Sequence, residues 1–311
     1  MSLKIIGTVI MHRTWHSAII VHGGAGDRAP DGVNSGSSTD PRFDGARRAC
    51  EVGAEVLARG GTALDAVEAA VRTLEDDPVF NAGTGSTLTS AGDVELDASV
   101  MDGETLRCGA VAVVRDVKNP ISLARAVMER TAHVMLAGPA ASAFAREAGF
   151  AAHANELLVT PAQRARWEAA RQGAASSKTG TVGAVARDAR SHLAAATSTG
   201  GMAMKLPGRV GDTPLVGCGT YADDTLAAVS CTGHGEKIIP LTLARHVADL
   251  VGAGRSSMEA ARAGIALLGR RVEGTGGVIV VGPDGSVGFA HNTPAMTRAW
   301  TAPDGTIVVE C

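Results

Sequence analysis

The chain has 311 residues, enough for one large domain or two ordinary ones with a sizeable core. Aromatic residues make up only 3% of it and glycine reaches 39 residues, so the core must be built from Ala, Val, Leu and Ile. The formal net charge of −3 excludes the basic footprint of a nucleic-acid-binding protein. We therefore expect small-molecule partners, with no nucleic acid and no membrane.

The cysteines and the N-terminal residues bear on the compartment. Five scattered cysteines show no zinc or redox spacing: Cys50, Cys108, Cys218, Cys231 and Cys311. Free thiols in a reducing compartment are therefore the default. Residues 5–11 are apolar but too short for a signal peptide, and no stretch reaches the roughly 20 apolar residues of a membrane span. We predict a cytoplasmic protein, and the sequence leaves open whether it starts at Met1 or at Met11.

The first half of the chain predicts, in order, a strand at 18–22, a loop at 27–41, helices at 42–59 and 62–75, strands at 87–89, 94–101 and 108–114, and helices at 120–130 and 138–148. Thr62 and Asp65 have the spacing of a capping box, which fixes the start of the second helix. Residues 91–93 predict a hairpin turn between 87–89 and 94–101. Residues 108–114 are apolar on both faces and predict a core strand.

Residues 151–180 differ in composition from their surroundings. A polar helix at 161–171 gives way to small polar residues at 173–180, which predict an exposed linker. The chain then changes abruptly into an apolar strand that begins at Thr181. The remaining sequence predicts strands at 181–187, 192–199, 227–232, 277–282 and 286–290, a loop at 200–220, helices at 237–251 and 256–269, and an edge strand at 306–310.

Each half thus combines hairpin-linked strands with a pair of helices. Runs of strands followed by runs of helices favour an α+β fold over alternating βαβ units. Two such halves around one core predict a single domain, residues 1–311, in which two sheets lie between helix layers.

Two glycine-rich motifs near the first strand have alternative interpretations. Residues 24–29 fit the G-x-G-x-x-G/A pattern of a dinucleotide site, but a helix must start there, and Pro30, Gly32 and Gly36 exclude one. His22 and the two glycines after it resemble the oxyanion loop of serine esterases. Those enzymes also need a G-x-S-x-G elbow, and the sequence has none. Both alternatives fail on their context.

Histidine and aspartate positions show no metal-ligand spacing. The histidines are better interpreted as structural groups than as ligands: His22, His133, His192, His234 and His291. Of these, only His234 lies in a predicted site loop. Asp93, Asp97 and Asp102 alternate with apolar residues, and we interpret them as turn and sheet-edge charges in preference to a catalytic carboxylate pair.

The Gly180–Thr181 bond joins the linker to the apolar strand, which is where a self-cleaving precursor needs its cleavage site. The Thr181 hydroxyl can attack the preceding carbonyl, and hydrolysis of the ester leaves Thr181 as a new N-terminus. Its free α-amine, with an unperturbed pKa of about 7.7–8.0, can then act as the base for its own hydroxyl. Taken alone, the junction still favours an ordinary linker before a strand.

Seven short motifs occur in order between residues 18 and 300. They are HGGAG (22–26), FNAG (80–83), LDASVMDG (96–103), GTVGAVA (180–186), TSTGG (197–201), GRVGD (208–212) and SCTGHGE (230–236). Together they resemble the plant-type asparaginases, or isoaspartyl peptidases (β-aspartyl-peptidases), of the N-terminal nucleophile hydrolase class, where any one motif alone would be weak. The resemblance implies a four-layer αββα sandwich, an α fragment (1–180), a β fragment (181–311) and a dimer of these pairs.

The resemblance also implies a catalytic group built around threonines. Thr181 would be the nucleophile, and Thr199 would hydrogen-bond to it and orient it. The hydroxyl of Thr232 and the backbone N–H of Gly233 would form the oxyanion hole. Asn81 resembles a residue that lies near the nucleophile. The implied substrates are L-asparagine and β-aspartyl dipeptides.

For substrate binding, the resemblance implies that Arg209 grips the α-carboxylate and that Asp212 binds the α-ammonium. A planar guanidinium suits a carboxylate, whereas these two residues alone would favour a surface ion pair. No cofactor is implied for catalysis. A structural sodium is implied in the loop at 74–84, held by the backbone carbonyls of Leu74, Glu75, Asp77, Phe80, Ala82 and Thr84.

The sequence departs from related patterns at two points. The linker is shorter and less rich in Ser and Thr than in some bacterial relatives, and Gly180 stands where the sister glycosylasparaginases have Asp. The second departure argues against N-glycan removal. Two rival hypotheses stay open: the same scaffold with another amide preference, such as glycosylasparagine, and a binding module that keeps Arg209 and Asp212 but never cleaves.

Overall fold

The computed structural model describes residues 17–26, 40–173 and 180–311, and the structural statements below refer to them. The strands are β1 (Ala18–Gly26), β2 (Leu96–Asp102), β3 (Cys108–Val114), β4 (Met135–Ala137), β5 (Val182–Arg187), β6 (Leu193–Thr199), β7 (Thr220–Ala222), β8 (Ala228–Gly233), β9 (Gly276–Val281), β10 (Val287–His291), β11 (Ala295–Thr301) and β12 (Ile307–Glu310). The helices are α1 (Pro41–Ala58), α2 (Ala63–Asp76), α3 (Pro120–Arg130), α4 (Gly138–Glu147), α5 (Pro161–Arg171), α6 (Gly235–Ile238), α7 (Leu243–Gly252) and α8 (Ser257–Val272).

Local side-chain chemistry sets where the longer helices begin. Thr62 and Asp65 form the predicted capping box at the start of α2, since the Thr62 hydroxyl accepts from the Asp65 N–H at 3.0 Å. Ser256 and Glu259 form a second capping box at α8. Asp40 caps α1, whose first residue is a proline that has no N–H to satisfy.

The strands form two sheets. The larger has eight strands in the order β12-β11-β1-β5-β6-β2-β3-β4, and its neighbours are antiparallel except for β3 and β4. The smaller has four antiparallel strands in the order β10-β9-β8-β7. Strand β1 pairs directly with β5, with His22 opposite Gly183. Residues from both sides of the Gly180–Thr181 bond therefore build the same sheet.

The core lies on both faces of the larger sheet. Ile19 and Val21 of β1 face the core shared with α1, α2 and α3, while Ile20 faces the core shared with the smaller sheet. Strand β9 contacts β1 on one side and α8 on the other. This mixed arrangement of helices and separate runs of antiparallel strands confirms the predicted α+β class.

The predicted strand at 87–89 is wrong, whereas the predicted turn after it forms, with the Thr89 N–H donating to the Asp93 carbonyl at 2.8 Å. Residues 87–89 form no strand, and β2 pairs instead with β3 and β6. The reason is visible at Thr87, whose N–H donates to the Asn81 side chain at 2.8 Å and whose hydroxyl donates to the Gly200 and Gly201 carbonyls. Because the Thr87 N–H holds this loop, it is not available to pair with a neighbouring strand.

The predicted helix at 237–251 is broken into α6 and α7. Pro240 lies in a single 3₁₀ turn (Ile239–Leu241) between them, and Thr242 adopts a left-handed conformation with φ of 44°. Proline has no N–H with which to continue an α-helix, and the left-handed Thr242 separates this turn from α7. The predicted elements also omit three strands, β4, β7 and β11.

Several predicted element positions are confirmed. The helices at 120–130 and 161–171 have the predicted bounds, and β12 lies at an edge of its sheet. The five cysteines, all within the described residues, carry free thiols. No helix of residues 17–26, 40–173 and 180–311 is long and apolar enough to cross a membrane. The question of Met1 or Met11, most of the loop at 27–41 and residues 174–179 of the linker lie outside the described residues.

Candidate active site

Three predicted site residues meet where the two sheets face each other. Thr181 is 7% exposed and directly precedes β5, and its hydroxyl donates to the hydroxyl of Thr199 at the end of β6, at 3.2 Å. Its backbone N–H donates to the hydroxyl of Thr232 in β8, also at 3.2 Å. The structure thus brings together the side chains that the sequence assigned to the nucleophile, its orienting partner and the oxyanion hole.

Gly180, the residue before the predicted nucleophile Thr181, is fixed by backbone packing. A Cβ atom at Gly180 would lie 2.4 Å from the Cα of Gly24, which itself has a φ of +103°. Real Cβ atoms do not approach a backbone so closely, so both positions need glycine. The Gly180–Thr181 peptide is therefore held against the end of β1.

Asn81 has a clear structural role beside the second threonine. The Thr199 hydroxyl accepts from the Gly201 N–H at 2.9 Å. The side-chain amide of Asn81 donates to the Gly201 carbonyl at 2.7 Å, and the Asn81 carbonyl accepts from the Gly200 N–H at 3.0 Å. Asn81 thereby holds the turn that presents a donor to Thr199, and so fixes the direction of the Thr199 hydroxyl.

The predicted oxyanion pair lies at the end of β8. The Thr232 hydroxyl is fully buried and also accepts from the Ala25 N–H at 3.3 Å. Gly233 has a φ of +135°, and a Cβ there would lie 2.4 Å from the Cα of Gly276 in the neighbouring strand. Glycine at this position allows β8 and β9 to stay close while the chain turns at the site.

His22 lies in β1 opposite Gly183 of β5, and its buried Nδ1 has no hydrogen-bond partner among the described residues. Its ring is fully buried, its Nε2 lies 2.9 Å from the hydroxyl of Ser230, and burial lowers the pKa of its imidazole to about 3. The ring is neutral at ordinary pH. The Ser230 hydroxyl is hydrogen-bonded to the Thr197 hydroxyl at 2.8 Å, and the Thr197 hydroxyl accepts from the Thr220 hydroxyl at 2.6 Å. Nothing in the sequence pattern marks this chain of buried hydroxyls, because serine and threonine are common in strands and loops.

Arg209 lies at the site but is already paired. Its Nε donates to Glu236 Oε1 and its Nη2 to Glu236 Oε2, both at 2.8 Å. The Arg209 side chain is 15% exposed and that of Glu236 is 48% exposed. The hydrogen bonds from Arg209 lower the pKa of the Glu236 carboxyl. His234, the only histidine in the predicted site loop, has Nε2 3.5 Å from Glu236 Oε2.

Asp212 is buried beside this pair. Burial raises the pKa of its carboxyl to about 7, against the opposing effect of the Arg209 charge. Its Oδ2 has no hydrogen-bond partner among the described residues. The point that a Cβ at Gly235 would occupy lies 2.9 Å from both Arg209 Nη2 and Asp212 Oδ1. The two groups thus flank one point, and they do not form the surface ion pair that was the alternative.

The interpretation of Asp97 as a sheet-edge charge is wrong. Strand β2 lies between β3 and β6, so Asp97 is fully buried, and burial raises the pKa of its carboxyl. The charges of Lys205 and Arg209 oppose that shift. The other two aspartates do carry surface and turn charges. Asp93 pairs with Arg115 at 3.0 Å, and Asp102 accepts from the Thr105 hydroxyl at 2.6 Å.

The loop predicted to hold sodium is compact and rich in convergent backbone oxygens. A Cβ at Gly85 would lie 2.4 Å from the Pro78 carbonyl and 2.7 Å from the Phe80 carbonyl. The Glu75 carboxyl faces elsewhere, since it accepts from the Ser198 hydroxyl at 2.6 Å, and burial raises its pKa to about 8. In the described part of the chain, no group of three or more His, Cys, Asp or Glu side chains could hold a metal. Two carbonyls of the predicted ligand set, those of Glu75 and Asp77, already accept hydrogen bonds from the N–H groups of Thr84 and Phe80. The Pro78 carbonyl is an oxygen outside the predicted set.

A cluster of buried threonines beside an Arg–Asp pair, set between two sheets, defines a site suited to hydrolysis of a small polar substrate. The family model described as Asparaginase matches residues 15–309. The chain therefore belongs to the asparaginase family and is a hydrolase, which confirms the resemblance seen in the motifs.

Similar proteins cover nearly the whole chain. It is 44% identical to the isoaspartyl peptidase/L-asparaginase of Danio rerio over 290 residues, 91% of each chain. It is 45% identical to the protein of the same name from Homo sapiens, over 91% of this chain and 92% of the other. It is 43% identical to the plant-type L-asparaginase of Pyrococcus horikoshii, over 91% of this chain and 95% of the other.

Proposed function

We propose that this chain is the precursor of an N-terminal-nucleophile amidohydrolase that cuts itself between Gly180 and Thr181 and then hydrolyses L-asparagine and β-aspartyl dipeptides. The observation that carries the proposal is the position of Thr181, whose hydroxyl contacts Thr199 and whose nitrogen contacts Thr232. The names of the similar proteins support both substrates. The helices outside two facing sheets support a four-layer αββα sandwich of the N-terminal nucleophile type.

Self-cleavage begins with attack of the Thr181 Oγ1 on the carbonyl carbon of Gly180. The C–N bond between the two residues breaks, the hydroxyl proton passes to the departing nitrogen, and an ester replaces the peptide bond. Water then hydrolyses the ester, leaving a carboxylate on Gly180 and a free α-amine on Thr181. Packing of Gly180 against Gly24 supports this step, because it fixes the scissile carbonyl beside the nucleophile.

Turnover uses the α-amine so formed. It accepts the Thr181 hydroxyl proton while Oγ1 attacks the side-chain amide of asparagine, or the β-peptide bond of a dipeptide. The oxyanion is stabilised by the Thr232 hydroxyl and the Gly233 N–H. Ammonia or the amino acid leaves with a proton from the ammonium, and water hydrolyses the aspartyl ester. The contact between the Thr181 nitrogen and Thr232 supports this arrangement.

Substrate recognition rests on two charges. The Arg209 guanidinium binds the α-carboxylate, and the Asp212 carboxylate binds the α-ammonium. The burial of Asp212 and its unpartnered Oδ2 support a role in binding a cation from outside the chain. Together the two charges favour a free amino-acid head group, as asparagine and β-aspartyl peptides have.

After cleavage, the α fragment (1–180) and the β fragment (181–311) stay joined through the pairing of β1 with β5 and of β2 with β6. We further propose a dimer of these pairs and a structural sodium in the loop at 74–84. The sodium would be held by backbone oxygens and would brace the loop that carries Asn81, without a part in the reaction.

The first prediction is that purified protein, incubated at neutral pH, yields a fragment whose N-terminal sequence begins Thr-Val-Gly-Ala. Thr181→Ala should stay intact and inactive, whereas Thr181→Ser keeps a hydroxyl and should still mature. The checks are intact mass, N-terminal sequencing and turnover of asparagine, β-Asp-Leu and glycosylasparagine. Full activity from a chain that is never cleaved would contradict the proposal. A preference for glycosylasparagine would identify that amide as the substrate instead.

A further inference from the structure

Glu236 binds the Arg209 guanidinium, which is the group proposed to bind the α-carboxylate of the substrate. Its carboxylate takes the Nε and Nη2 of Arg209 in two parallel hydrogen bonds of 2.8 Å. This is the geometry in which a guanidinium binds a carboxylate of any origin. In the free protein, Glu236 therefore stands where an α-carboxylate would bind.

The rest of the Arg209 side chain offers little room for a second carboxylate. The point that a Cβ at Gly211 would occupy lies 2.8 Å from Nη1 and 3.2 Å from Cζ, so the backbone there covers one face of the guanidinium. The corresponding point at Gly235 lies 2.9 Å from Nη2. The edge held by Glu236 is consequently the one best placed to bind a carboxylate with two hydrogen bonds.

The Glu236 carboxylate can be displaced from Arg209 by a ligand carboxylate. The Glu236 side chain is 48% exposed and sits on the short helix α6, so its carboxylate can move into water. Water and salt therefore screen part of the attraction between Glu236 and Arg209. A ligand that offers both a carboxylate to Arg209 and an ammonium to Asp212 makes two charged contacts at once, whereas Glu236 makes only the first.

We propose that Glu236 is an internal competitor for Arg209, a carboxylate that the α-carboxylate of the substrate must displace before it binds. Glu236 thereby sets the affinity of the site for α-amino acid ligands. The proposal rests on the proposed function, since it takes Arg209 as the α-carboxylate site. An internal competitor weakens the apparent affinity of such ligands by the fraction of protein in which the site is free.

The experiment compares matured wild type with matured Glu236→Gln at pH 8.5, where Asp212 is ionised. Glutamine keeps the size of the side chain and loses the charge that binds Arg209. The KM for asparagine and the inhibition constant of L-aspartate should both fall, by about three- to tenfold, which is the range expected for loss of one weak competing ion pair. The matched control is Glu55→Gln. It removes the exposed ion pair between Glu55 of α1 and Arg59, the residue that follows α1, and should change neither value.

A second ligand separates competition from a general change in charge. The α-amide of L-aspartate keeps the α-ammonium and lacks the α-carboxylate, so its inhibition constant should not change in Glu236→Gln. An equal fall for this amide would overturn the proposal, because a general charge effect would then explain both. A higher KM for asparagine would overturn it too, and would make Glu236 a positioning residue for Arg209.

A crystal structure of wild type with L-aspartate gives an independent outcome. The ligand carboxylate should hold Arg209 Nε and Nη2, with Glu236 turned away. A ligand bound while Glu236 keeps both contacts would contradict the inference. Failure of the proposed function would look different, because wild type would then neither cleave at Thr181 nor turn over asparagine.

Discussion

The two sides of the candidate site differ in charge, in secondary structure and in what holds them in place. The proposed nucleophile side (Thr181, Thr199 and Thr232) consists of neutral hydroxyls at or next to strand ends, joined by two hydrogen bonds of 3.2 Å through Thr181. The recognition side (Arg209, Asp212 and Glu236) consists of charges on a loop and on the short helix α6. One side is fixed by sheet pairing and glycine contacts, and the other by ion pairs.

The two sides differ in the free-energy cost of burying their polar groups. Hydroxyls can be buried without loss when they find partners. Charges are penalised by burial, which raises the pKa values of Asp212 and Asp97 and lowers that of Lys205. The proposed recognition side should therefore be stabilised by a ligand of opposite charge. The hydroxyls of Thr181, Thr199 and Thr232 already have hydrogen-bond partners in the uncleaved chain, as the proposed self-cleavage requires.

The largest effect should come from the nucleophile side. Thr232→Val removes the proposed oxyanion donor and leaves the N–H groups of Thr181 and Ala25 without their acceptor. Loss of one oxyanion donor typically lowers kcat by about 10²–10³, and maturation should slow as well. Turnover of asparagine per mole of cleaved chain measures the first effect, and a gel time course measures the second.

The conservative control for that variant is Thr232→Ser, which keeps the hydroxyl. It should retain most of the wild-type kcat, because only a methyl group is lost. A Thr232→Val enzyme with near-normal kcat would remove Thr232 from the oxyanion hole and leave it a structural residue.

Arg209→Lys should separate the two sides. Lysine keeps the charge but cannot make two parallel hydrogen bonds. Loss of a charged contact to substrate costs on the order of 2–5 kcal/mol, and kcat/KM should fall toward the lower end of that range, about thirtyfold. Self-cleavage uses no substrate carboxylate, so the Thr181 fragment should still appear at the normal rate.

The control for Arg209→Lys is Arg59→Lys, which alters the exposed ion pair between Arg59 and Glu55 (N–O distance 2.9 Å) and should keep wild-type kinetics. Turnover and a maturation gel are run on the same samples. Normal kcat/KM in Arg209→Lys would exclude Arg209 from the site, and with it the argument for a free α-amino acid substrate.

The sequence predicted those parts of the fold that local patterns determine. Capping residues placed α2, and apolar runs placed β3, β5 and β6. Strand β11 was missed because one of its two partner strands, β1, is distant in sequence, although the other, β12, follows β11 closely. The turn at 91–93 formed as predicted, but the strand before it did not. The Thr87 N–H donates to Asn81 instead, and the Thr87 hydroxyl donates to the Gly200 and Gly201 carbonyls.

The site was predicted unevenly for a related reason. Motifs identify residue types, so Thr181, Thr199 and Thr232 could be named in advance, and the structure brings them together. Motifs do not show which charge pairs with which. The burial of Asp97 and the occupation of Arg209 by Glu236 both depend on packing between segments more than 25 residues apart in sequence. Only the three-dimensional structure shows which charged side chains pair with each other.

The smallest predicted effect is a dependence of binding on pH. The Asp212 carboxyl has a pKa of about 7 in the free protein, well above its usual range, because it is buried. Only its ionised form can bind an α-ammonium, so the inhibition constant of L-aspartate should be flat above pH 7 and rise below it, up to about tenfold per pH unit. Asp212→Asn should bind more weakly throughout, with the change near pH 7 abolished. A wild-type binding curve that is flat from pH 5.5 to 8 would contradict the role of Asp212.

The same shift predicts an effect on stability in the absence of ligand. Because the folded pKa of Asp212 is raised, its contribution to stability is present below the unfolded pKa of about 3.9 and is lost as the pH rises through about 7. The Asp212→Asn variant carries no such group, so its Tm relative to wild type should be higher at pH 8 than at pH 5. Saturating L-aspartate should reduce that difference, because the ligand ammonium stabilises the ionised carboxylate of the wild type. A Tm difference between the two proteins that is the same at both pH values would show that Asp212 ionises at its ordinary pKa.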